Sequence, residues 1–364
     1  MGIFTKKSGA HQWRGVIEEY RDRLPVTSKT PVVTLREGGT PLVYACVLSE
    51  MLGNNVWVKF EGINPTGSFK DRGMTMAITK AAEEGAKAVI CASTGNTSAS
   101  AAAYAAAAGI QSVVLIPEGK IALGKLSQAV AHKSQILQVR GNFDDCLDLA
   151  RDLSSNYAVH LVNSVNPDRI EGQKTGAFEV VDALGFAPDL HVLPVGNAGN
   201  YSAYFKGYLE DLNAGRIKQV PQMWGFQAEG SAPFVQGSPV KNPETIATAI
   251  RIGNPASWDL AQSARECSNG RFGAVSDKEI LWMHRFLSNE VGVFVEPSSA
   301  TGAAGLFKTS KQGDDAKGKT IVVTVTGHGL KDAGWALKDE NGGDIQPTVV
   351  NNNAAEVAAS LGLA

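Results

Sequence analysis

Residues 64–72 read Asn64-Pro65-Thr66-Gly67-Ser68-Phe69-Lys70-Asp71-Arg72, and the reading of the whole chain turns on them. The alternating run before them, Val56-Trp57-Val58-Lys59-Phe60, predicts a strand with one buried face. Pro65 and Gly67 end that strand and Ser68 offers a helix cap. The Ala-rich segment after Gly73 then predicts a helix as far as Gly85. Lys70 would stand at the positive end of the helix dipole, which disfavours its ammonium form. Attack on a carbonyl needs a neutral lysine amine of this kind. On this stretch alone, a surface lysine opening a helix accounts for the same letters.

The surrounding chain repeats a strand, turn and helix. Residues 88–92 form a continuous apolar run, as expected of a strand covered on both faces of a parallel sheet, and residues 112–116 and 136–139 repeat it. A helix is predicted from Asn142 to about Asn156. A second series of strands follows at 190–195, 223–228, 293–295 and 321–325, with helices near 175–184, 201–212, 277–289 and 300–311. Upstream, residues 13–23 predict a helix with Val16, Ile17, Tyr20 and Leu24 at helical spacing, and residues 35–42 a turn-rich loop. Residues 230–273, with Pro233, Pro239, Pro243 and Pro255, read as an irregular excursion. The expected fold is α/β, with two open, mostly parallel sheets flanked by helices. The expected division is a large domain of residues 1–75 and 165–345, a smaller α/β domain of 76–164, and a peripheral tail of 346–364.

Composition narrows the function classes. A chain of 364 residues, 43% hydrophobic, can bury one large core or two smaller ones. A net charge of −2 with no basic stripe argues against nucleic acid as a partner. The four cysteines lie far apart, fitting neither a zinc site nor a disulfide framework, so a reducing compartment is expected. No apolar run follows the first lysines, and residues 99–108 are too short and too weakly apolar to span a bilayer. A soluble cytosolic protein is the expectation, and the six histidines show no ligand spacing that would predict a catalytic metal.

Ligands of open α/β sheets bind beyond the carboxyl ends of strands, so the turns after the strands carry the chemistry. Ser93-Thr94-Gly95-Asn96-Thr97 precedes an Ala-rich helix and suits a carboxylate, although it is also a good capping turn. Gly196-Asn197-Ala198-Gly199-Asn200 can fold into a nest of N–H donors for a phosphate; ordinary turns use Gly and Asn too. It has no lysine, which suits a phosphate held on a cofactor better than one being transferred. Asn163-Ser164-Val165-Asn166-Pro167-Asp168-Arg169 offers two hydrogen-bond donors and an arginine for a second phosphate, or an arginine salt-bridged at a domain junction. Thr324-Val325-Thr326-Gly327-His328-Gly329 ends the last strand with hydroxyls and glycines. Residues 313–320 match the Walker A pattern, but a helix precedes them and a strand follows, the reverse of a working P-loop. Asn96-Thr97-Ser98 matches a glycosylation sequon for which a cytosolic chain has no use.

These turns together resemble the fold-type II enzymes that use pyridoxal phosphate, of the tryptophan synthase β-like architecture, and among them the short-form threonine synthases. The features are residues 62–73, 92–99, 196–200, and Asn163-Ser164 with Arg169-Ile170-Glu171-Gly172-Gln173-Lys174; the likeness runs from about Val16 to Gly334. The resemblance implies that Lys70 forms the Schiff base with the cofactor and then serves as general base. It implies that Asn96 meets the cofactor's phenolic oxygen, that Gly196, Asn197, Ala198, Gly199 and Asn200 hold its phosphate, and that Thr326 meets its ring nitrogen. Thr97, Asn163, Ser164, Arg169 and Asn197 would hold the γ-phosphate of O-phosphohomoserine, and Ser93 and Thr94 its carboxylate. The implied reaction is γ-elimination of phosphate with addition of water at Cβ, giving threonine, in a homodimer. A serine or threonine dehydratase is the alternative, but it needs no second phosphate site. A non-catalytic amino-acid sensor would be expected to lack Lys70 or part of residues 196–200.

Overall fold

The computed structural model describes residues 11–119, 123–313, 317–338 and 343–363. Among the described residues ten strands form two sheets. The first sheet contains β1 (Leu42–Tyr44), β2 (Asn55–Phe60), β7 (Leu190–Pro194), β8 (Gln222–Ala228), β9 (Arg271–Val275) and β10 (Thr320–Val325), in the order β1-β2-β10-β7-β8-β9. The second contains β3 (Ala88–Ala92), β4 (Gln111–Pro117), β5 (Gln135–Val139) and β6 (Val159–Leu161), in the order β5-β4-β3-β6. Every pairing is parallel except that of the edge strand β1 with β2.

Both sheets are covered on both faces, as apolar runs without alternation require. From β10, Ile321, Val323 and Val325 enter one core with Val56, Val58 and Val192, while Val322 enters another with Leu193 and Tyr201. In β3, Val89 and Cys91 face one core of the second sheet, and Ile90 and Ala92 the other.

The strand order decides where the chemistry gathers. β2, β10 and β7 are neighbours, so the loops after Phe60, Val325 and Pro194 leave one edge side by side. β3 and β6 are likewise adjacent, which brings the turns after Ala92 and Leu161 together. The loop before Lys70 is clamped to the loop after β10. Phe69 N donates to Thr326 O at 2.9 Å, and His328 N to Gly67 O at 2.9 Å.

Several expectations are corrected. Only Val16–Glu19 is α-helical within residues 13–23, followed by the 3-10 turn Arg21–Arg23, because Tyr20 (φ −122°, ψ 30°) breaks the helix between them. Residues 293–295 are not a strand: Val295 makes a single bridge to His328. The excursion at 230–273 contains the helix Trp258–Cys267 and ends in β9, so its last third is regular. The short strands β1 and β6 escaped the apolar-run criterion. Of the Walker-like stretch, residues 314–316 lie outside the described residues, as do residues 1–10 with the first lysines. The order around the stretch is helix Pro297–Lys311, then β10. The described residues as far as Asp332 form one compact unit, and the described residues after it form a second with the helix Ala354–Ser360, capped by Asn353. No helix among the described residues is long and apolar enough to cross a membrane.

Candidate active site

Lys70 is the first residue of the helix Lys70–Glu83, and its two neighbours hold it in place. The Asp71 carboxylate accepts from Thr66 N (2.7 Å), Thr66 Oγ1 (2.6 Å) and Ser100 Oγ (2.5 Å). Arg72, fully buried, donates to Glu61 at 2.7 and 2.8 Å and to Glu179 at 2.5 and 2.7 Å. Ser68 is not the cap: Phe69 holds that position without a side-chain bond, and Ser68 Oγ lies 3.4 Å from Lys70 N. The Lys70 amine is pushed down to about 7, by burial first and the Arg169 charge second, against the pull of Glu296. The direction agrees with the dipole argument, but loss of water is the larger cause. Lys70 Nζ sits 4.2 Å from the centre of the Phe69 ring.

Residues 196–200 connect β7 to the helix Gly199–Asn213. Ala198 takes a left-handed conformation at the cap (φ 63°), and no side chain caps the first N–H groups of the helix among the described residues. Both polar atoms of the Asn200 amide are buried without a protein partner. A Cβ on Gly196 would sit 3.0 Å from Ile250 Cα, so the loop lies tight against residue 250. Asn197 Oδ1 accepts from Ala256 N at 3.2 Å, tying the loop to the excursion.

Ser93 and Thr94 are part-exposed at the entrance to the helix Asn96–Ala108, with Thr97 in its first turn. Asn163 also has a partner within the fold. Its Oδ1 accepts from Ala92 N (2.9 Å) and its Nδ2 donates to Ala92 O (3.0 Å), so it fastens the end of β3. Ser164 beside it is part-exposed.

Arg169 is 1% exposed and has no ion pair among the described residues. Its Nη1 donates to Val162 O at 3.3 Å and its Nε has no partner among the described residues. Burial pushes its guanidinium down to about 10. Among the described residues the salt-bridge alternative for this arginine finds no partner. Its helix, Pro167–Gln173, approaches the Lys70 helix so closely that a Cβ on Gly172 would sit 1.8 Å from Arg72 O. Glycine there is a requirement of packing, and it brings Arg169 close enough to lower the Lys70 amine.

Thr326, just after β10, is 5% exposed. Two neighbours were missed in the sequence, Glu296 and Ser299. Glu296 is buried, accepts from Asn96 Nδ2 at 3.0 and 3.2 Å, and is pushed up to about 7 by burial. Ser299 Oγ lies 2.8 Å from Thr326 Oγ1. The available signal was Pro297, which marks the first turn of a helix. A strand expected at 293–295 and a helix begun at 300 hid it. Lys331, also missed, donates to Thr66 O at 3.0 Å and to Gln128 Oε1. No cluster of three or more His, Cys, Asp or Glu among the described residues is placed to hold a metal.

Residues 33–327 match the family model described as "Pyridoxal-phosphate dependent enzyme". The chain belongs to the pyridoxal-phosphate-dependent enzymes. It is 59% identical over 359 residues to the threonine synthase of Mycobacterium tuberculosis (strain ATCC 25618 / H37Rv), covering 98% of this chain and 99% of that one. It is 54% identical to the threonine synthase of Synechocystis (98% and 93% covered) and 49% to that of Methanocaldococcus jannaschii (88% and 81%). Among solved structures it shares its fold with maize serine racemase (TM-score 0.70, 20% identity, 86% and 93% covered). The same holds for threonine deaminase isoform 2 of Solanum lycopersicum (TM-score 0.68, 22% identity, 79% of each chain).

The family's cofactor fits the residues present. A phosphate suits the nest at 196–200, where the Asn200 amide is buried and unmatched. An aldehyde carbon suits an amine that is substantially neutral near pH 7.

Proposed function

We propose that the chain acts as a threonine synthase, converting O-phospho-L-homoserine and water to L-threonine and phosphate. One observation carries the substrate class: Arg169 is buried, lacks a carboxylate, and lies near Lys70. A guanidinium in that state is completed by an anion brought from outside, and a phosphate monoester suits its fork of donors. Serine and threonine, the substrates of a dehydratase, bring no such group. The names of the relatives point the same way.

Pyridoxal phosphate, when bound, supplies an electron sink that makes protons on Cα and Cβ of the substrate removable. Residues 196–200 would hold its phosphate, Asn96 its phenolic oxygen and Thr326 its ring nitrogen. Lys70 would bond it and would serve as the base at Cα and then Cβ; its lowered pKa keeps a neutral amine available. Ser93 and Thr94 orient the substrate carboxylate at the helix N-terminus. Arg169, with Thr97, Ser164 and Asn197, grips the γ-phosphate, while Asn163 acts through Ala92 by holding the strand end. Phosphate departs from Cγ and water adds at Cβ. The same reading carries a homodimer as the working form, the cytoplasm as its location, and residues 76–164 as a smaller domain beside the large one.

The test is purified protein with pyridoxal phosphate and O-phosphohomoserine, following phosphate and threonine together. Equal release of both is expected, and Lys70→Ala should abolish it while leaving the circular dichroism spectrum unchanged. Deamination of serine or threonine at a higher kcat/KM, with no threonine formed from the phosphate ester, would replace this reading with the dehydratase.

A further inference from the structure

Ser299 is the third residue of the helix Pro297–Lys311 and is completely buried. Its Oγ accepts from two backbone donors, Thr326 N at 3.1 Å and Gly327 N at 2.7 Å. A hydroxyl has two acceptor lone pairs and one proton. Both lone pairs are therefore taken, and the proton must be donated. Two acceptors lie within reach, Thr326 Oγ1 at 2.8 Å and Gly327 O at 3.3 Å. If the proton went to Gly327 O, Thr326 would have to donate to an oxygen whose lone pairs are already filled. The only arrangement that satisfies every group has Ser299 donating to Thr326 Oγ1. The Thr326 proton is then left over and turned away from Ser299, with no other recorded acceptor among the described residues.

We infer that Ser299 is a positioning residue that fixes the Thr326 hydroxyl as a donor into the site. A group meeting Thr326 there must offer a lone pair. On the reading that Thr326 faces the cofactor's ring nitrogen, on which this inference rests, that nitrogen is held unprotonated. Thr326 alone leaves the matter open, because a free hydroxyl can turn to accept from a protonated nitrogen. The two backbone N–H groups on Ser299 remove that freedom, and they come from the same turn that carries Thr326. The donor direction is thus built into the junction between β10 and the helix.

The experiment is the nitrogen-15 resonance of ring-labelled pyridoxal phosphate bound to the protein without substrate, followed with pH. In the wild-type protein the nitrogen should remain unprotonated across the neutral range. In Ser299→Ala the hydroxyl of Thr326 is free to rotate, so the nitrogen should take up a proton within that range, and cofactor affinity should fall about threefold to tenfold. Ser299→Cys, whose thiol is a weak donor and acceptor of similar shape, should fall between the two and serves if the alanine variant does not fold. Thr326→Val tests the underlying reading: an unchanged resonance there would mean that Thr326 does not meet the ring, and both statements would fall. A shifted resonance in Thr326→Val with wild-type behaviour in Ser299→Ala and Ser299→Cys would keep Thr326 and overturn the role of Ser299.

Discussion

Arg72 and Arg169 are both buried on helices that touch, but they differ in what surrounds them. Arg72 is met by Glu61 and Glu179, with Thr40 and Thr175 filling its remaining donors, and Lys59 joins the cluster through Glu179 at 2.6 Å. Glu179 is held down to about 2 by Arg72 and Lys59, against the cost of its burial. Arg169 has one long bond to a carbonyl and an unmatched Nε. Burying an unpaired charge is expensive, so a native chain keeps one where something outside completes it. The paired arginine is tied into the fold, and the unpaired one is, on the proposed function, completed by a ligand.

The largest effect that could break this contrast is on stability. Arg72→Met leaves two buried carboxylates with Lys59 as the remaining cation of the cluster and should cost about 3–5 kcal/mol in urea unfolding. A loss below about 1 kcal/mol would show that the cluster relaxes, and the contrast would lose its structural half. Arg169→Leu should do the opposite. Its melting temperature should hold or rise, while kcat/KM for O-phosphohomoserine falls by the equivalent of about 2–5 kcal/mol. Comparable loss of stability in both variants would make Arg169 a structural arginine.

Inorganic phosphate sharpens the comparison. Added to the cofactor-free protein at a hundred times its Kd, it should stabilise by about 2.7 kcal/mol at one site. Arg169→Leu should lose the part of that stabilisation that residues 196–200 do not supply, whereas a variant equally stabilised would place the anion elsewhere. A slope with pH tests the contrast in another way. Glu296, pushed up from 4.5 to about 7, stands on the side of Arg169, since the side chain hydrogen-bonded to it among the described residues is a neutral amide. Between pH 4.5 and 7 the unfolded chain has lost this proton while the folded one keeps it, so the contribution to stability falls as pH rises. Lys70 and Lys331 pull the other way and soften the slope. Glu296→Gln should flatten the melting temperature over that window in the cofactor-free protein; an unchanged profile would mean that Glu296 is ionised throughout.

Much of this was legible in the letters because it depends on neighbours along the chain. The apolar runs that became β3, β7, β8 and β10 carry their own periodicity, and Asn142 with Asp145 forms the capping box of the helix Phe143–Asn156. The Lys70 stretch and the turns at 93–97, 163–169 and 196–200 each announce an anion or an amine by residue type, because glycine, hydroxyls and helix starts act locally. Residues 13–23 and 293–295 misled, since a plausible period cannot show that Tyr20 breaks the helix or that Val295 finds only one partner.

Tertiary structure decided what distance along the chain hides. β2 and β10 are about 260 residues apart and pair in register, Asn55 with Thr320, which sets Lys70 beside Thr326. Sequence spacing cannot reveal that Asn163 spends its amide on Ala92, or that Arg169 ends without a carboxylate while Arg72 has two. Nor can it show that Ser299 receives two N–H groups from the turn of Thr326. Each is a matter of which buried polar group lacks or finds a partner. In a low-dielectric interior that accounting is settled by contacts between segments far apart in the chain. The sequence by itself determined the kinds of group available for the chemistry; packing determined which of them are tied up and which are left facing a ligand.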